Sequence, residues 1–429
     1  MIAVLVILLF GLLLLGLPVA AVLGIVTLSL DQLFSVFPVL PAMGELLWGG
    51  STNFTLVAVP LFILTGEILL GSGIAQAMFS ALDKWVRWIP GGLLHTNITS
   101  CALFSATSGS SVASAATIGT VAMPQLKEGG YHPRLFLGSI AAGGTLGILI
   151  PPSINMILYG VLAEVSIGRL YIAGLIPGLL LAGLFSLVIL LICSLRPDLG
   201  GQRGAPVTWG ERARSLPSLL PPLLIFLLMV GSIYLGLATP TEAAALGVIG
   251  SLALAAWVRR LSWSLLAVAF ERTTKTTCMV MLIVLTAILL NFAMVAIGIS
   301  GQIKSLVTGL DIPPIMVMAI IIVVYLFLGC FMETLSLMIA TTPIVVPIVT
   351  SLGYDPIWFG VLFMVLIEAA LITPPIGVNL FVVQSVRGNG PFSDVSIGAL
   401  PFLVMMIVLM VLLIAVPGLA LWLPDLLRG

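Results

Sequence analysis

Apolar residues fill this chain in long runs, and the points where polar residues, glycine and proline interrupt them mark out its elements. In the first half the runs cover about 2–15, 18–37 and 53–80. A charged, aromatic stretch with Lys84, Trp85, Arg87 and Trp88 follows, then two short runs, about 91–107 and 110–126, parted by small residues. A longer run, 134–166, is interrupted at Pro151-Pro152, and a last one covers 169–195. The hydrophilic stretch Arg196 to Ser215 is a linker. The order then returns: 216–236, 240–258, 276–297, a short pair within 313–349, a run at 355–385 broken at Pro374-Pro375, and 396–423. A membrane-crossing helix needs about 20 apolar residues. The short pairs fall below that and read as hairpins that enter and leave on one side. Irregular backbone at such depth is tolerated only inside protein or beside water.

The return is a repeat. The two Pro-Pro pairs lie 223 residues apart (374 − 151), as do Pro124 and Pro347, Pro90 and Pro313, and Gly24 and Gly247. The halves are 1–195 and 216–429, joined by the linker 196–215. The expected fold is an all-α integral membrane protein of two inverted repeats. Each repeat has about five spanning helices, one re-entrant hairpin and one broken helix. Paired broken helices at matched positions are the sequence pointer to a transporter's binding site.

Charge supports the count of crossings. With the N-terminus outside, Lys84, Arg87, Lys127, Arg134, Arg196, Arg203, Arg212, Arg214, Arg259, Arg260, Arg272, Lys275 and Arg387 fall inside, and only Arg169, Lys304 and Arg428 outside. That asymmetry obeys the positive-inside rule. Five crossings per half put the second half upside down and both termini outside. Trp85, Trp88, Trp257, Trp263, Trp358 and Trp422 lie near run ends, as interfacial belt residues do.

Composition narrows the class. Charged residues make up 7% of the 429, against about 25% in a soluble chain, and mean hydropathy is +1.28. The first 30 residues carry no charge, so no basic region of a signal peptide precedes the first run. Zero net charge argues against nucleic acid. Cys101, Cys193, Cys278 and Cys330 show no metal spacing and read as small buried hydrophobes. His95 and His132 have no metal partner nearby, and no phosphate-binding loop occurs.

Three features can carry chemistry. Ser105-Ala106-Thr107-Ser108-Gly109-Ser110-Ser111 sets small polar residues inside an apolar run. Its hydroxyls and carbonyls suit a hard cation, its half-helix N-termini an anion, and its small residues equally suit close helix packing. The counterpart, Gly329 to Ser336, contains Glu333, an intramembrane acid and so a functional candidate or an internally paired carboxyl. Glu368 is similar; Glu67 and Glu164 lie nearer run ends. The diprolines unwind their helices and strand carbonyl oxygens that a monovalent cation can satisfy. Asn155 and Asn379 follow the breaks and can bond a polar substrate or a freed carbonyl.

Phe104-Ser105…Ser108-Gly109-Ser110, Ile150-Pro151-Pro152-Ser153-Ile154, Thr239-Pro240-Thr241-Glu242-Ala243-Ala244, Gly329-Cys330-Phe331-Met332-Glu333 and Thr373-Pro374-Pro375-Ile376-Gly377-Val378-Asn379 follow one another in order. Over essentially its whole length the chain resembles the large membrane subunit of tripartite ATP-independent periplasmic (TRAP) transporters. The resemblance implies an elevator-type importer in the bacterial inner membrane that moves small organic acids with two or more sodium ions. It implies two partners, a small four-helix membrane subunit and a periplasmic substrate-binding protein, with lipid around the whole. The moving elements would be about 91–195 and 313–429, the scaffold about 1–80 and part of 216–297. One implied sodium site matches Ser105, Ser108, Gly329, Met332 and Glu333. A second, between the breaks, matches Thr145, Ile148, Pro151, Ala370, Thr373 and Ile376. Ser110, Ser153, Asn155, Thr334 and Asn379 are the expected substrate contacts. The chain departs from the family pattern where Ser114 replaces Asp, Glu333-Thr334 replaces Asp-Pro, and Ala370 replaces glycine. A stand-alone carboxylate carrier coupled to sodium or protons is the competing expectation. An intramembrane enzyme lacks a paired nucleophile or metal set.

Overall fold

The computed structural model describes residues 1–35, 39–201, 207–299, 301–302, 305 and 312–427, with the side chain of Lys127 left aside. Arg203, Lys304 and Arg428, three of the charges used above, lie outside the described residues. The described chain is helical throughout. The helices of the first half are α1 (Ile2–Leu14), α2 (Val19–Phe34), α3 (Val39–Ser51), α4 (Ala58–Gly71), α5 (Ile74–Val86), α6 (Leu93–Ser108), α7 (Ser111–Glu128), α8 (Pro133–Leu149), α9 (Ile154–Leu162) and α10 (Ile167–Leu195). In the linker α11 (Trp209–Ser215) follows. The second half holds α12 (Leu220–Phe226), α13 (Ser232–Tyr234), α14 (Pro240–Trp257), α15 (Trp263–Ala296), α16 (Pro314–Gly329), α17 (Thr334–Ser351), α18 (Pro356–Leu371), α19 (Val378–Arg387), α20 (Phe392–Ala415) and α21 (Gly418–Leu426).

Helix starts repeat at the sequence interval. Ser111 of α7 and Thr334 of α17 are 223 apart (334 − 111), as are Pro133 of α8 and Pro356 of α18 (356 − 133). The motif Thr239-Pro240-Thr241-Glu242 is a helix-start device. The Thr239 hydroxyl accepts from the Glu242 amide at 3.3 Å while Oε2 of Glu242 accepts from the Thr239 amide at 2.8 Å. Proline at the first helical position costs nothing there, because its missing donor would have no partner.

Both diproline breaks interrupt their helices as expected. α8 and α9 meet at a 42° bend across Ile150–Ser153, and α18 and α19 are parted by Ile372–Gly377. Both Pro-Pro bonds are cis. α8 and α18 are buried along almost their full length. α8 packs backbone to backbone on α20, since a Cβ at Gly138 would collide with the Gly398 carbonyl.

The structure also corrects the sequence reading. Six described helices are long and apolar enough to cross a membrane alone, or eight if each bent pair counts as one. Beside these, α1, α2, α16 and α18 are shorter apolar helices of 13, 16, 16 and 16 residues. The run 53–80 is two helices, because Gly73 (φ +74°) turns the chain between α4 and α5. The run 396–423 likewise splits at Pro417. α15 begins at Trp263, well before the expected 276, so its first turns carry Glu271, Arg272 and Lys275. Trp358 is no belt residue: it is buried, stacks on Tyr354 and donates its indole N–H to the Leu413 carbonyl at 2.9 Å. Trp88, Trp257, Trp263 and Trp422 are exposed, as a belt requires. Cys278 is exposed on α15, unlike the other three cysteines. α5 is amphipathic, burying Ile74, Ala75, Met78 and Phe79, and Trp85 meets Trp209 of α11 edge-on.

Candidate functional site

The first hairpin is α6 and α7, turning at Gly109 (φ +62°), a conformation glycine adopts without cost. Its tip is knitted by hydroxyls. Ser105 donates to Ser114 Oγ at 2.9 Å, Ser108 and Ser114 share a bond at 3.2 Å, and Ser114 donates to the Ser110 carbonyl at 2.8 Å. Ser110 caps α7, its hydroxyl accepting from the Ala113 amide. The tip presses onto the first break: a Cβ at Gly109 would lie 2.9 Å from the Pro152 carbonyl oxygen, and one at Gly147 2.9 Å from the Ser111 nitrogen.

The second hairpin, α16 and α17, turns at Cys330–Glu333. Glu333 caps α17, accepting from the amides of Leu335 at 3.0 Å and Ser336 at 2.9 Å and from the Thr334 hydroxyl at 3.3 Å. It is exposed at the tip of the hairpin, with its charge on a helix N-terminus. This tip meets the second break. Gly329 touches Ala370, and the Cys330 thiol reaches the Pro374 carbonyl at 3.6 Å.

Glu368 joins the two halves. It is fully buried on α18, and its Oε1 accepts from the Ser111 hydroxyl at 2.6 Å and the Ile148 amide at 3.1 Å. One carboxylate from the second half thus holds the first hairpin against the first break. Oε2 is buried with no hydrogen-bond partner among the described residues. Sequence reading weighed Glu368 as an intramembrane acid but left it out of the sites, because its partners lie 257 and 220 residues away.

A cavity of about 150 Å³ opens between these elements. Of the expected site residues it is lined by Ser108, Ser110, Ile148, Asn155, Glu333 and Thr334, with Glu67 and Gly66 of α4 and Thr276 of α15 opposite. The first turns of α7, α9 and α17 reach it through Ser111, Ile154 and Leu335, so three helix N-termini converge there. The buried Asn155 amide nitrogen has no partner among the described residues. Glu67 pairs with Arg272 at 3.3 Å at the cavity edge.

The other expected residues lie outside its lining. Ser105 is buried beneath the first tip, and Met332 is half-buried at the second. The hydroxyls of Thr145 and Thr373 donate to the Ala142 and Ala369 carbonyls at 2.6 and 2.7 Å, which leaves their oxygen lone pairs free to accept. Pro151 and Ala370 are buried at the breaks, and Ile376 is 37% exposed. Ser153 caps α9, accepting from the Met156 amide at 3.3 Å. Asn379 is buried and donates to the Ala141 carbonyl at 3.3 Å, and its Oδ1 has no partner among the described residues. His95 bonds the Pro90 carbonyl at 2.9 Å.

Two hairpin tips seated on two broken helices around a polar cavity, within a chain of apolar helices, define a multi-pass membrane transporter. Residues 6–419 match the family model of the tripartite ATP-independent periplasmic transporter, DctM component, and the chain belongs to that family as a large permease. It is 36% identical to the C4-dicarboxylate TRAP transporter large permease protein DctM of Pseudomonas aeruginosa, over 87% of each chain. It is 33% identical to the sialic acid TRAP transporter large permease protein SiaM of Vibrio cholerae, over 98% of this chain and 97% of the relative. The fold is similar to the YdaH transporter of Alcanivorax borkumensis, with a TM-score of 0.67 at 15% identity over 94% of this chain and 96% of that one.

Proposed function

We propose that this permease imports a small organic acid across the bacterial inner membrane, coupled to sodium and supplied by a periplasmic binding protein, with a small membrane subunit beside it. Relatives named for C4-dicarboxylate and sialic acid support a carboxylate cargo. The observation that carries the reading is the cavity itself. Three helix N-termini and the Ser108 and Ser110 hydroxyls offer donors to a carboxylate, yet Glu333 and Glu67 bring negative charge to the same lining. An anion entering beside Glu333 is repelled unless a cation enters with it. Sodium between the tips relieves that repulsion, and the neutral pair crosses at lower desolvation cost.

The cavity also lies at a seam. Ile63, Gly66, Glu67, Leu70 and Thr276 belong to segments assigned to the scaffold, and the hairpins and breaks to segments assigned to the moving domain. Sliding along that seam is the elevator motion, with the halves inverted and both termini periplasmic. Each charge moved across the membrane is worth about 2.3 kcal/mol per 100 mV, so two sodium ions with a monovalent acid concentrate the cargo. The test is uptake of C4-dicarboxylates and sialic acid into proteoliposomes holding the permease and its small partner, with and without binding protein. Uptake requiring both an inward sodium gradient and the binding protein supports the reading. Equal uptake without the binding protein favours a stand-alone carrier, and uptake indifferent to sodium removes the coupling.

A further inference from the structure

We propose that Glu368 is the charged ligand of a sodium ion at the junction of the two breaks, so that this site is built around a carboxylate and not around carbonyl oxygens alone. This rests on the sodium-coupled reading above and adds to it a residue and a charge.

Glu368 has no exposed surface, and its two hydrogen bonds both end on Oε1, from the Ser111 hydroxyl and the Ile148 amide. Neither donor carries a charge. Oε2 has no partner among the described residues. A carboxylate withdrawn from water needs an opposite charge as well as hydrogen bonds, or it takes up a proton and becomes neutral; the sodium and pH series below separate the two. The elements packed on α18 do not supply one. Arg134 of α8 and Arg387 of α19 both pair with Asp394 of α20, at 3.3 and 3.0 Å. Arg169 of α10 pairs with Asp425 of α21 at 3.4 Å. α9, α16 and α17 contain no charged residue. The positive charge therefore comes from outside the protein.

The surroundings select its kind. The unwound Ile150–Ser153 segment begins two residues after Ile148, which Glu368 holds, and Ile372–Gly377 begins four residues after Glu368 itself; backbone oxygens of such unwound segments suit a small hard cation. Histidine, cysteine or a second carboxylate would mark a divalent site, and no cluster of three or more such residues occurs among the described residues. The placement has a mechanical consequence. Glu368 sits on the second half and grips the hairpin and break of the first, so a cation that neutralises it sets the junction of both halves. The device is absent from the matched position: 368 − 223 gives Thr145, whose hydroxyl is turned back into its own helix.

The experiment counts ions. The purified full chain in nanodiscs is titrated with radioactive sodium at constant ionic strength in choline, and its thermal unfolding is followed across the same series at two pH values. Glu368→Gln keeps an oxygen for Ser111 and Ile148 but removes the charge. It is expected to bind one sodium fewer than the wild type, and in sodium-free buffer to unfold no earlier than the wild type. Should the glutamine variant not fold, Glu368→Asp keeps the charge and is expected to need a higher sodium concentration for half-saturation. An unchanged ion count in Glu368→Gln, or an unchanged half-saturation in Glu368→Asp, overturns the assignment and leaves sodium coupling standing. Wild-type stability that follows pH and not sodium replaces the sodium with a proton and also overturns it. A wild type that binds no sodium removes both.

Discussion

The two hairpin tips hold matched places in the chain and are built from opposite chemistry. Ser110 caps α7 and Glu333 caps α17, 223 residues later (333 − 110). The first tip is buried, tied inward by Ser105, Ser108 and Ser114, and gripped from the other half by Glu368. The second tip is open, its charged cap satisfied by its own helix, and it meets the second broken helix through Gly329–Ala370 and Cys330–Pro374 contacts. The difference teaches that a duplicated plan need not give duplicated roles. One tip is held by hydrogen bonds from both halves, and the other is capped by its own helix alone.

Removing the grip has the largest expected effect. Glu368→Ala leaves the Ser111 hydroxyl and the Ile148 amide buried without an acceptor, at about 1–3 kcal/mol for each. Transport is lost, and the first tip comes to exchange its amide hydrogens as fast as the second; hydrogen exchange reads this directly. Next comes Gly329→Val. Even a Cβ there collides with Ala370, so the second tip lifts off its break at about 1–3 kcal/mol. The variant is expected to keep the first tip protected while losing carboxylate uptake, and the two readouts together separate it from general misfolding.

How much of this the sequence told can be judged from the same residues. The diprolines, the hairpin turns and the repeat interval were legible, because proline, glycine and small polar residues act locally on the backbone. Ser111 holding Glu368 was not, because no local pattern records a contact across 257 residues. Trp358 misled for a related reason: near the end of an apolar run, burial against protein and burial in lipid demand the same residue types. Glu333 stands out in the sequence as an acid in an apolar run, but its capping bonds and exposure depend on where α17 starts relative to its neighbours. The early start of α15 escaped because Glu271, Arg272 and Lys275 break its apolar pattern without breaking the helix.

Smaller effects sharpen the contrast. Glu333→Ala removes the cap of α17, worth about 0.5–2 kcal/mol, and is expected to weaken sodium-dependent uptake far more than stability. A sodium titration of uptake beside a thermal melt distinguishes the two. Glu67→Gln is the mildest change. Its pairing with Arg272 is largely exposed on the arginine side, so stability should shift by about 0.2–1 kcal/mol or less. If a melt of Glu67→Gln shows a loss as large as that of Glu368→Ala, the ranking of a buried grip over a rim pair is wrong.

Hydrogen–deuterium exchange of the wild-type permease at residues 105–114 and 329–336, with and without sodium and a transported carboxylate, tests the contrast most directly. The expected result is exchange at the first tip that stays slower than at the second under all conditions, and exchange at the second tip that slows only when sodium and carboxylate are both present. Equal exchange at the two tips, or a second tip indifferent to both solutes, would contradict it.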